Sequence, residues 1–346
     1  MLKKMAVKLE IKKNAIFSYP VKKQKRIVSG MNEPHDDVER SYRQYQCQMR
    51  LNGTLTSLVL NFISFPVIIY FYFKKCRADD EGSDTREAVF ISGGISDNVI
   101  PESLKNEFKT WNILSNYPGE SFTSQDKEYF RKIILKYPVS WHFLLKCIIK
   151  LRLYSYIIDK YQPKAIIACE EYSFTSSLLT DYCNHRDVHH INVMHGEKLY
   201  YMRDSFFRFH RCYIWDNHYK DLFIQLRAEP NQFRIAIPPS LKFSGTNHSN
   251  KTIDYTYYLG AEKDAVLTAI IEALKKLKNK GFRVALRPHP RYSDMDEINK
   301  FRSEFDIEDI KKIGIEASLF RTKKAISVYS TVLNQAFYNG VGVVID

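Results

Sequence analysis

A histidine lies between two prolines and two arginines in the segment Arg287-Pro288-His289-Pro290-Arg291, which directly follows a short apolar run. The prolines restrict the backbone on both sides of the imidazole. An imidazole can donate a hydrogen bond or a proton to a phosphate oxygen, and arginine binds phosphate through two parallel N–H groups. We therefore expect His289 to act on a phosphate, with Arg287, Pro290 and Arg291 beside it. The alternative is a rigid loop that contains an incidental histidine.

A serine and a threonine stand where another apolar segment gives way to a predicted helix. Ser330 and Thr331 follow Tyr329 in the chain. Hydroxyl groups and the free N–H groups of a helix N-terminus bind anions together, although such a pair is also an ordinary helix cap. Because His289 follows a strand in the same half of the chain, we expect Tyr329, Ser330 and Thr331 to contribute to the same phosphate site.

Two adjacent carboxylates follow the predicted strand Ala165–Cys169, where it meets a helix. Neighbouring like charges favour protonation of one member of the pair, so Glu170 or Glu171 could take a proton from a hydroxyl group. The alternative is that both are ordinary acidic residues at a helix start. His195 and Gly196 end the next predicted strand. Ligands bind beyond the carboxyl ends of parallel strands. We therefore expect His195 and Gly196 to line the acceptor side of a ligand-binding cleft.

The sequence predicts neither a metal site nor a bound cofactor. His185, His189, His190 and His195 form a cluster, but adjacent strand residues point to opposite faces, and no thiol or carboxylate completes a ligand set. The pair Gly93-Gly94 lacks the further glycines of a dinucleotide fingerprint and the Gly-Lys of a phosphate-binding loop of the Walker type.

The composition is that of a folded cytosolic protein. The chain has 346 residues, 45% of them hydrophobic and 14% aromatic, which excludes disordered, collagenous and small disulfide-stapled proteins. Its formal net charge is +13, which suits nucleic acid, an anionic membrane or an acidic substrate. No nucleic-acid-binding motif occurs, so we expect no nucleic-acid partner. With no secretory signal and no paired cysteine motif, we expect a cytoplasmic protein with reduced thiols.

Short apolar runs alternate with helical patterns along most of the chain, which predicts an α/β fold with parallel sheets. We expect two Rossmann-like domains, residues 1–240 and 241–346. The predicted strands of the first are Ala88–Ser92, Ala165–Cys169, His190–Met194 and Cys212–Trp215. Those of the second are Tyr255–Leu259, Arg283–Arg287, Ala325–Val328 and Val341–Ile345, with helices at Asp264–Lys280, Asp296–Phe305 and Thr331–Tyr338.

Three segments bear on membrane contact. The apolar run Leu55–Phe73 is long enough to span a bilayer, but polar residues dilute it and basic residues flank both ends, which favours a buried or interfacial helix. The basic segment Met1–Arg26 and the basic and aromatic stretch Tyr129–Tyr161, interrupted at Pro138, suit peripheral docking on anionic lipid. A solvated cationic helix face is the alternative for the second stretch.

The order of these elements resembles the bacterial CMP-sialic acid-dependent sialyltransferases of the GT-B architecture, most of all those of O-antigen and capsule synthesis. The family pattern is an Asp/Glu-Asp/Glu-Gly element, a His-Pro element and a Ser or Ser/Thr element. Here these are Glu170-Glu171, with Tyr172 in place of the glycine, then His289-Pro290 and Ser330-Thr331. The resemblance extends from about Ala165 to Thr331.

This resemblance implies an inverting, metal-independent enzyme that transfers sialic acid from CMP to a hydroxyl group of a lipid-linked surface oligosaccharide. Glu170 or Glu171 would take the acceptor proton, and His289 would stabilise or protonate the departing phosphate. The N-terminal domain would hold the acceptor and the C-terminal domain the donor across a cleft, with the enzyme peripheral at the inner face of the cytoplasmic membrane.

Two alternative functions fit the same sequence. A Kdo or glycerophosphate transferase would place the same histidine and hydroxyl groups around a cytidine nucleotide. A non-catalytic membrane or nucleic-acid binding protein would explain the net charge and the apolar run Leu55–Phe73 without any chemistry.

Overall fold

The computed structural model describes residues 19–75, 84–243, 251–328 and 330–346. The chain forms two compact units, Met1–Ile237 (unit 1) and Pro238–Asp346 (unit 2). The predicted domain boundary, between residues 240 and 241, lies three residues beyond the division between these units.

Unit 1 is built on a parallel sheet. Its strands are β1 (Ala88–Ile91), β2 (Trp111–Leu114), β3 (Ala165–Ala168), β4 (His189–Val193), β5 (Arg211–Ile214) and β6 (Phe233–Ile235). They lie in the order β2-β1-β3-β4-β5-β6, and every neighbouring pair is parallel. All four residues of β3 are buried, as expected of a strand covered by helices on both faces.

Eight helices accompany this sheet in the described part of unit 1. The longest, α6 (Trp141–Tyr161), forms much of the core, with Phe143, Leu151 and Ile157 fully buried. The helices are α1 (Val21–Ser29), α2 (Asp37–Asn52), α3 (Thr54–Phe73), α4 (Glu102–Lys105), α5 (Ser124–Lys136), α6 (Trp141–Tyr161), α7 (Ser176–Asn184) and α8 (Asn217–Gln225).

The α6 part of the stretch Tyr129–Tyr161 differs from the lipid-facing or solvated helix that the sequence predicted, whereas Arg131 and Lys132 in the α5 part are exposed. Pro138 does separate α5 from α6, but most of α6 is buried in the core. Arg152 is fully buried, and its Nε lies 3.0 Å from Glu120 Oε2. Membrane docking by α6 is therefore wrong, because the helix is covered by its own unit and this charge is neutralised there.

The apolar run Leu55–Phe73 was predicted to form a buried or an interfacial helix. It forms α3, which is not buried. Within its 20 residues only Ser64 and Ile68 are buried. By length and composition α3 could also cross a bilayer.

The basic segment Met1–Arg26, which was also predicted to dock on lipid, lies largely outside the described residues. Its end forms the start of α1.

Unit 2 contains a second parallel sheet, with strands β7 (Ile253–Tyr258), β8 (Val284–Arg287), β9 (Asp306–Ile307), β10 (Thr322–Ser327) and β11 (Gly342–Ile345). Their order is β11-β10-β7-β8-β9. The helices are α9 (Asp264–Asn279), α10 (Met295–Asn299), α11 (Ile315–Phe320) and α12 (Thr331–Tyr338). The predicted α/β class with two Rossmann-like units is thus confirmed.

Three strands were absent from the sequence prediction. They are the edge strands β2, β6 and β9, and each has four residues or fewer. In β2 no residue is buried, and β6 and β9 each bury a single residue. Such short, half-exposed edge strands lack the continuous apolar run that marked the central strands.

Candidate functional site

Unit 1 brings the acidic pair and His195 to one edge of its sheet. Strands β3 and β4 are neighbours, with Ala168 paired to Asn192. Glu170 and Glu171 follow β3, and His195 follows β4. Because parallel strands end at the same edge, the two predicted elements lie side by side.

Glu171 is completely buried and forms an ion pair with Lys198. The side-chain amide of Asn192 also donates a hydrogen bond of 3.1 Å to Glu171 Oε2. Burial raises the pKa of Glu171, but the charge of Lys198, together with that of His195 once the imidazole is protonated in acid, outweighs it and lowers the pKa to about 2. The same partnership raises the pKa of Lys198. Glu171 is therefore a weak base with no access to solvent.

We expect this ion pair to lose its stabilising effect in acid. The folded pKa of Glu171 is about 2, below the ordinary value of 4.5, so the stabilisation is complete above about pH 4.5 and declines toward pH 2. Denaturant unfolding of the parent and of Glu171→Gln should show a stability difference that shrinks over this range. A difference that does not vary with pH would contradict the ion pair.

Glu170 has a more accessible environment than its neighbour. Its side chain is 15% exposed, and Lys150 Nζ lies 2.5 Å from Oε1. Its second oxygen, Oε2, has no hydrogen-bond partner among the described residues. The backbone N–H of Glu170 donates to Asn192 Oδ1 at 2.8 Å. Asn192 thus holds both members of the acidic pair, and Oε2 of Glu170 is a buried carboxylate oxygen without a partner among the described residues.

Two glutamines of α2 hold the turn after the acidic pair. Gln44 Nε2 donates to the carbonyl groups of Glu171, at 2.9 Å, and Arg203, at 2.8 Å. Gln48 Nε2 donates to the carbonyl group of Tyr172 at 2.6 Å. Tyr172 is not among the residues with positive φ in the described chain. This turn therefore accommodates tyrosine where the family pattern has glycine, since it does not need the conformational freedom of glycine.

His195 is a neutral imidazole beside the buried ion pair. Burial lowers its pKa, Glu171 opposes that effect and Lys198 adds to it, and the net shift is downward. Its Nδ1 atom is buried and makes no hydrogen bond to any part of the chain that the structure describes. Gly196 follows it in the loop after β4. The imidazole can accept or donate a hydrogen bond at this edge.

Sequence reasoning missed three residues that shape this site: Lys150, Asn192 and Lys198. Asn192 did leave a signal, because it is a polar residue inside the otherwise apolar run Ile191–Met194. Lys150 and Lys198 left none, since nothing in the spacing of a lysine indicates which distant carboxylate it will reach.

In unit 2, His289 presents a hydrogen-bond donor at the carboxyl edge of the sheet. Its Nδ1 accepts the backbone N–H of Arg291 at 3.0 Å, so the neutral ring carries its proton on Nε2. The ring stacks on Tyr292 with 4.5 Å between centroids. The backbone N–H of His289 donates to Ser293 Oγ at 2.8 Å, and that hydroxyl donates to the carbonyl group of Gly260 at 3.1 Å.

The charge state of His289 follows from its surroundings. Burial and the nearby charge of Arg291 lower its pKa, against an opposing effect of Glu262. The ring is therefore neutral at pH 7 in the unliganded chain and suited to donate a hydrogen bond. Protonation of a leaving phosphate, the other predicted role, would need a ligand that restores the imidazolium.

The two predicted arginines differ. Arg287 is buried, and its Nη1 lies 2.6 Å from Glu308 Oε2, so its charge is neutralised within unit 2. Arg291 and Pro290 are exposed in the loop after β8. Arg291 is therefore the arginine of this segment that can meet an anion.

Ser330 is the N-cap of α12, and its hydroxyl accepts the backbone N–H of Val332 at 3.3 Å. Thr331 is the first residue of that helix, and Tyr329 lies outside the described residues. Strand β7 separates β8 from β10, so the loops that carry His289 and Ser330 flank the same strand. At about 4.8 Å between neighbouring strands, β8 and β10 are about 10 Å apart.

Within the described ranges, no three His, Cys, Asp or Glu side chains come together in a way that could hold a metal ion. His189 and His190 lie in β4, and the buried His190 bonds Tyr154 and Thr180. His190 is thus part of the internal packing of unit 1.

No family model matches the chain, and no curated protein matches it. Solved structures show distant similarity. A UDP-N-acetylglucosamine 2-epimerase from Rickettsia bellii is 10% identical over 73% of this chain, with a TM-score of 0.40, and the match covers 66% of the epimerase, just under two thirds of its length. A UDP-glucose:anthocyanidin 3-O-glucosyltransferase in complex with UDP is 10% identical over 76% of this chain and 81% of its own, with a TM-score of 0.41. The wall teichoic acid polymerase TagF is 9% identical over 86% of this chain and 77% of its own, with a TM-score of 0.38.

Proposed function

We propose that this chain is an inverting glycosyltransferase of GT-B type that uses a nucleotide-sugar donor, and that the donor is CMP-sialic acid. The observation that carries the proposal is the orientation of His289. Its Nδ1 is occupied by the backbone of Arg291, so Nε2–H is left to donate a hydrogen bond at the carboxyl edge of a parallel sheet. That is a fitting partner for the phosphate of a leaving nucleotide.

The hydroxyl and helix cap on the other side of β7 support the same assignment. Ser330 caps α12, whose first N–H groups and partial positive charge favour an anion. Arg291 adds a cation in the exposed loop beside His289. The resemblance of the three motifs to the sialyltransferases supplies the finer statement, that the nucleotide is CMP and the sugar is sialic acid.

Unit 1 supplies the base in this proposal. Glu170 accepts the proton of the acceptor hydroxyl through Oε2, the buried oxygen without a partner, once the bound acceptor reaches it. Lys150 holds the other carboxylate oxygen, and Asn192 holds the backbone N–H of Glu170. Glu171 is a positioning residue, because its charge is neutralised by the ion pair with Lys198. His195 lies beside the pair and contributes a hydrogen bond to the acceptor.

The reaction follows from these roles. The acceptor oxygen attacks the anomeric carbon as its proton passes to Glu170, and the bond from that carbon to the phosphate oxygen breaks with its electron pair. His289, Ser330 and Arg291 stabilise the negative charge that grows on the phosphate of CMP. Attack from the face opposite the leaving group inverts the anomeric carbon, through an oxocarbenium-like transition state. The acceptor in this proposal is a lipid-linked surface oligosaccharide at the cytoplasmic face of the membrane.

Release of the nucleotide tests the donor class. The purified chain should release CMP from CMP-sialic acid, and neither UDP nor GDP from the corresponding activated sugars. Release should continue in EDTA, because the charge stabilisation comes from side chains and a helix terminus. Preferential release of CMP from CMP-Kdo or from CDP-glycerol would favour the alternative donors. Loss of activity in EDTA with recovery in Mg²⁺ would contradict this mechanism.

A further inference from the structure

The helix α3 carries an exposed apolar surface along its whole length. Four large side chains on it are more than 60% exposed, and none of its 20 residues is charged. At 3.6 residues per turn the most exposed positions fall on one side of the helix. We call this side the α3 stripe, and it consists of Leu55, Leu58, Val59, Phe62, Ile63, Phe65, Ile69, Tyr70 and Phe73.

The opposite side of α3 is tied to α6. Asn61 Nδ2 donates to the carbonyl group of Val139 at 2.9 Å, and Asn61 Oδ1 accepts the backbone N–H of His142 at 3.0 Å. Further along, Arg152 Nη1 donates to the carbonyl group of Phe71 at 2.8 Å. Since α6 is the core helix of unit 1, α3 cannot cross a bilayer as an isolated segment without leaving these partners.

Exposed basic residues follow the end of α3 and precede its attachment point at Val139 in the chain. Val139, whose carbonyl group bonds Asn61 of α3, is 70% exposed and extends the apolar area. Leu135, four residues before it in the chain, is 72% exposed. One helical turn before Leu135, Arg131 and Lys132 are exposed on α5. A further exposed cation, Lys75, follows the end of α3. We call Arg131, Lys132 and Lys75 the basic fringe. Exposed apolar side chains together with exposed cations match a bilayer with anionic headgroups.

We propose that α3 lies in the plane of an anionic lipid bilayer, with the α3 stripe in the acyl region and the basic fringe at the headgroups. This is a monotopic attachment, because the other side of the helix remains packed on α6. It is independent of the proposed donor, and it places membrane contact on α3 instead of on the buried α6. An anionic bilayer fits better than a protein partner, because α3 contains no charged residue along its 20 residues and an exposed cation, Lys75, follows its end.

Binding to vesicles tests the attachment on the full chain. The parent should float with vesicles of phosphatidylglycerol and phosphatidylcholine. Leu55→Ser combined with Ile69→Ser should lower the partition coefficient by roughly three orders of magnitude, since each of the about six carbons lost from lipid weakens partition about fourfold. Phe337→Ser is the matched control, because Phe337 is 69% exposed in unit 2. It should bind as the parent does. Unchanged binding of the double variant would overturn the proposal.

The basic fringe predicts a partial effect of charge. Arg131→Gln with Lys132→Gln should weaken binding to anionic vesicles by about fivefold for each charge removed. Salt at about 1 M should reduce binding of the parent, but a fraction of the protein should stay bound, because salt does not screen the contact with the acyl chains. Complete release by salt would mean that the α3 stripe does not enter the lipid, against the proposal.

Thiol labelling separates attachment in the plane from a helix that crosses. In a Cys76→Ser background, Thr54→Cys and Lys75→Cys place one thiol at each end of α3, while the five cysteines in the described ranges are buried. After addition to preformed vesicles, both thiols should react with an impermeant maleimide. Protection of one thiol would show that the helix spans the bilayer. If the parent is a dimer, and the Leu55→Ser, Ile69→Ser variant dissociates but still binds vesicles, the α3 stripe contacts a second copy of the chain. Either result would overturn the proposal.

Discussion

His289→Ala should reduce turnover by on the order of 10²–10⁴-fold while the chain stays folded. The imidazole donates to a phosphate whose charge grows in the transition state, so its loss removes an interaction that is strongest there. The substitution deletes no large apolar group. The backbone N–H of Arg291 that bonded Nδ1 is exposed and can turn to water. The measurement is CMP release together with the thermal unfolding midpoint.

His185→Ala is the matched control for this prediction, because His185 is exposed at the C-terminal end of α7, the end away from the Glu170-Glu171 turn. Its turnover should equal that of the parent. His289→Gln should retain part of the activity, since the amide offers a neutral donor in place of Nε2–H. A stably folded His289→Ala variant with parental turnover would remove the donor-phosphate assignment. A collapse in stability would instead show that the histidine mainly holds its loop.

Glu170→Gln and Glu171→Gln should fail in different ways. Glu170→Gln should lower turnover on the order of 10²–10⁴-fold with stability and CMP binding retained, because a base is lost from a partly exposed position. Glu171→Gln should cost about 3–5 kcal/mol of unfolding free energy, because it leaves the charge of Lys198 buried without its partner. Turnover and denaturant unfolding measured on both variants separate the two effects.

Glu102→Gln serves as the control for the carboxylate pair, since Glu102 is exposed at the start of α4 and should tolerate the change. Full activity in Glu170→Gln, with a stable but inactive Glu171→Gln, would reverse the assignment of the base. In that case the ion pair with Lys198 would have to open during the reaction.

The sequence indicated where chemistry could take place, because the central strands of both sheets are short, continuous and apolar. Their ends mark the carboxyl edges of the sheets, and Glu170, His195, His289 and Ser330 all follow such ends. This placement is local information, since strand period and apolar content are written in consecutive residues. The α/β class with parallel sheets follows from the same runs.

The tertiary structure decided what each of these residues can do. Glu170 and Glu171 are equivalent in sequence, but only Glu171 reaches Lys198. Arg287 and Arg291 flank the same histidine, but Arg287 is neutralised by Glu308. The sequence does not contain these differences, because the partner of a charge depends on which distant segment folds against it and on how much water the pair excludes.

The same limit applies to α3. Its composition is that of a core or membrane helix. A run of apolar residues does not indicate which side of the helix will be covered by the rest of the protein. In the folded chain α6 covers one side, and Leu55, Phe62 and Phe73 remain exposed. Only the packing of the whole unit determined which side of α3 is exposed, because the burial of a helix depends on which other segments pack against it. Sequence pattern determined the elements and the ends of the strands, and tertiary contacts determined the charge, access and free surface of the residues on them.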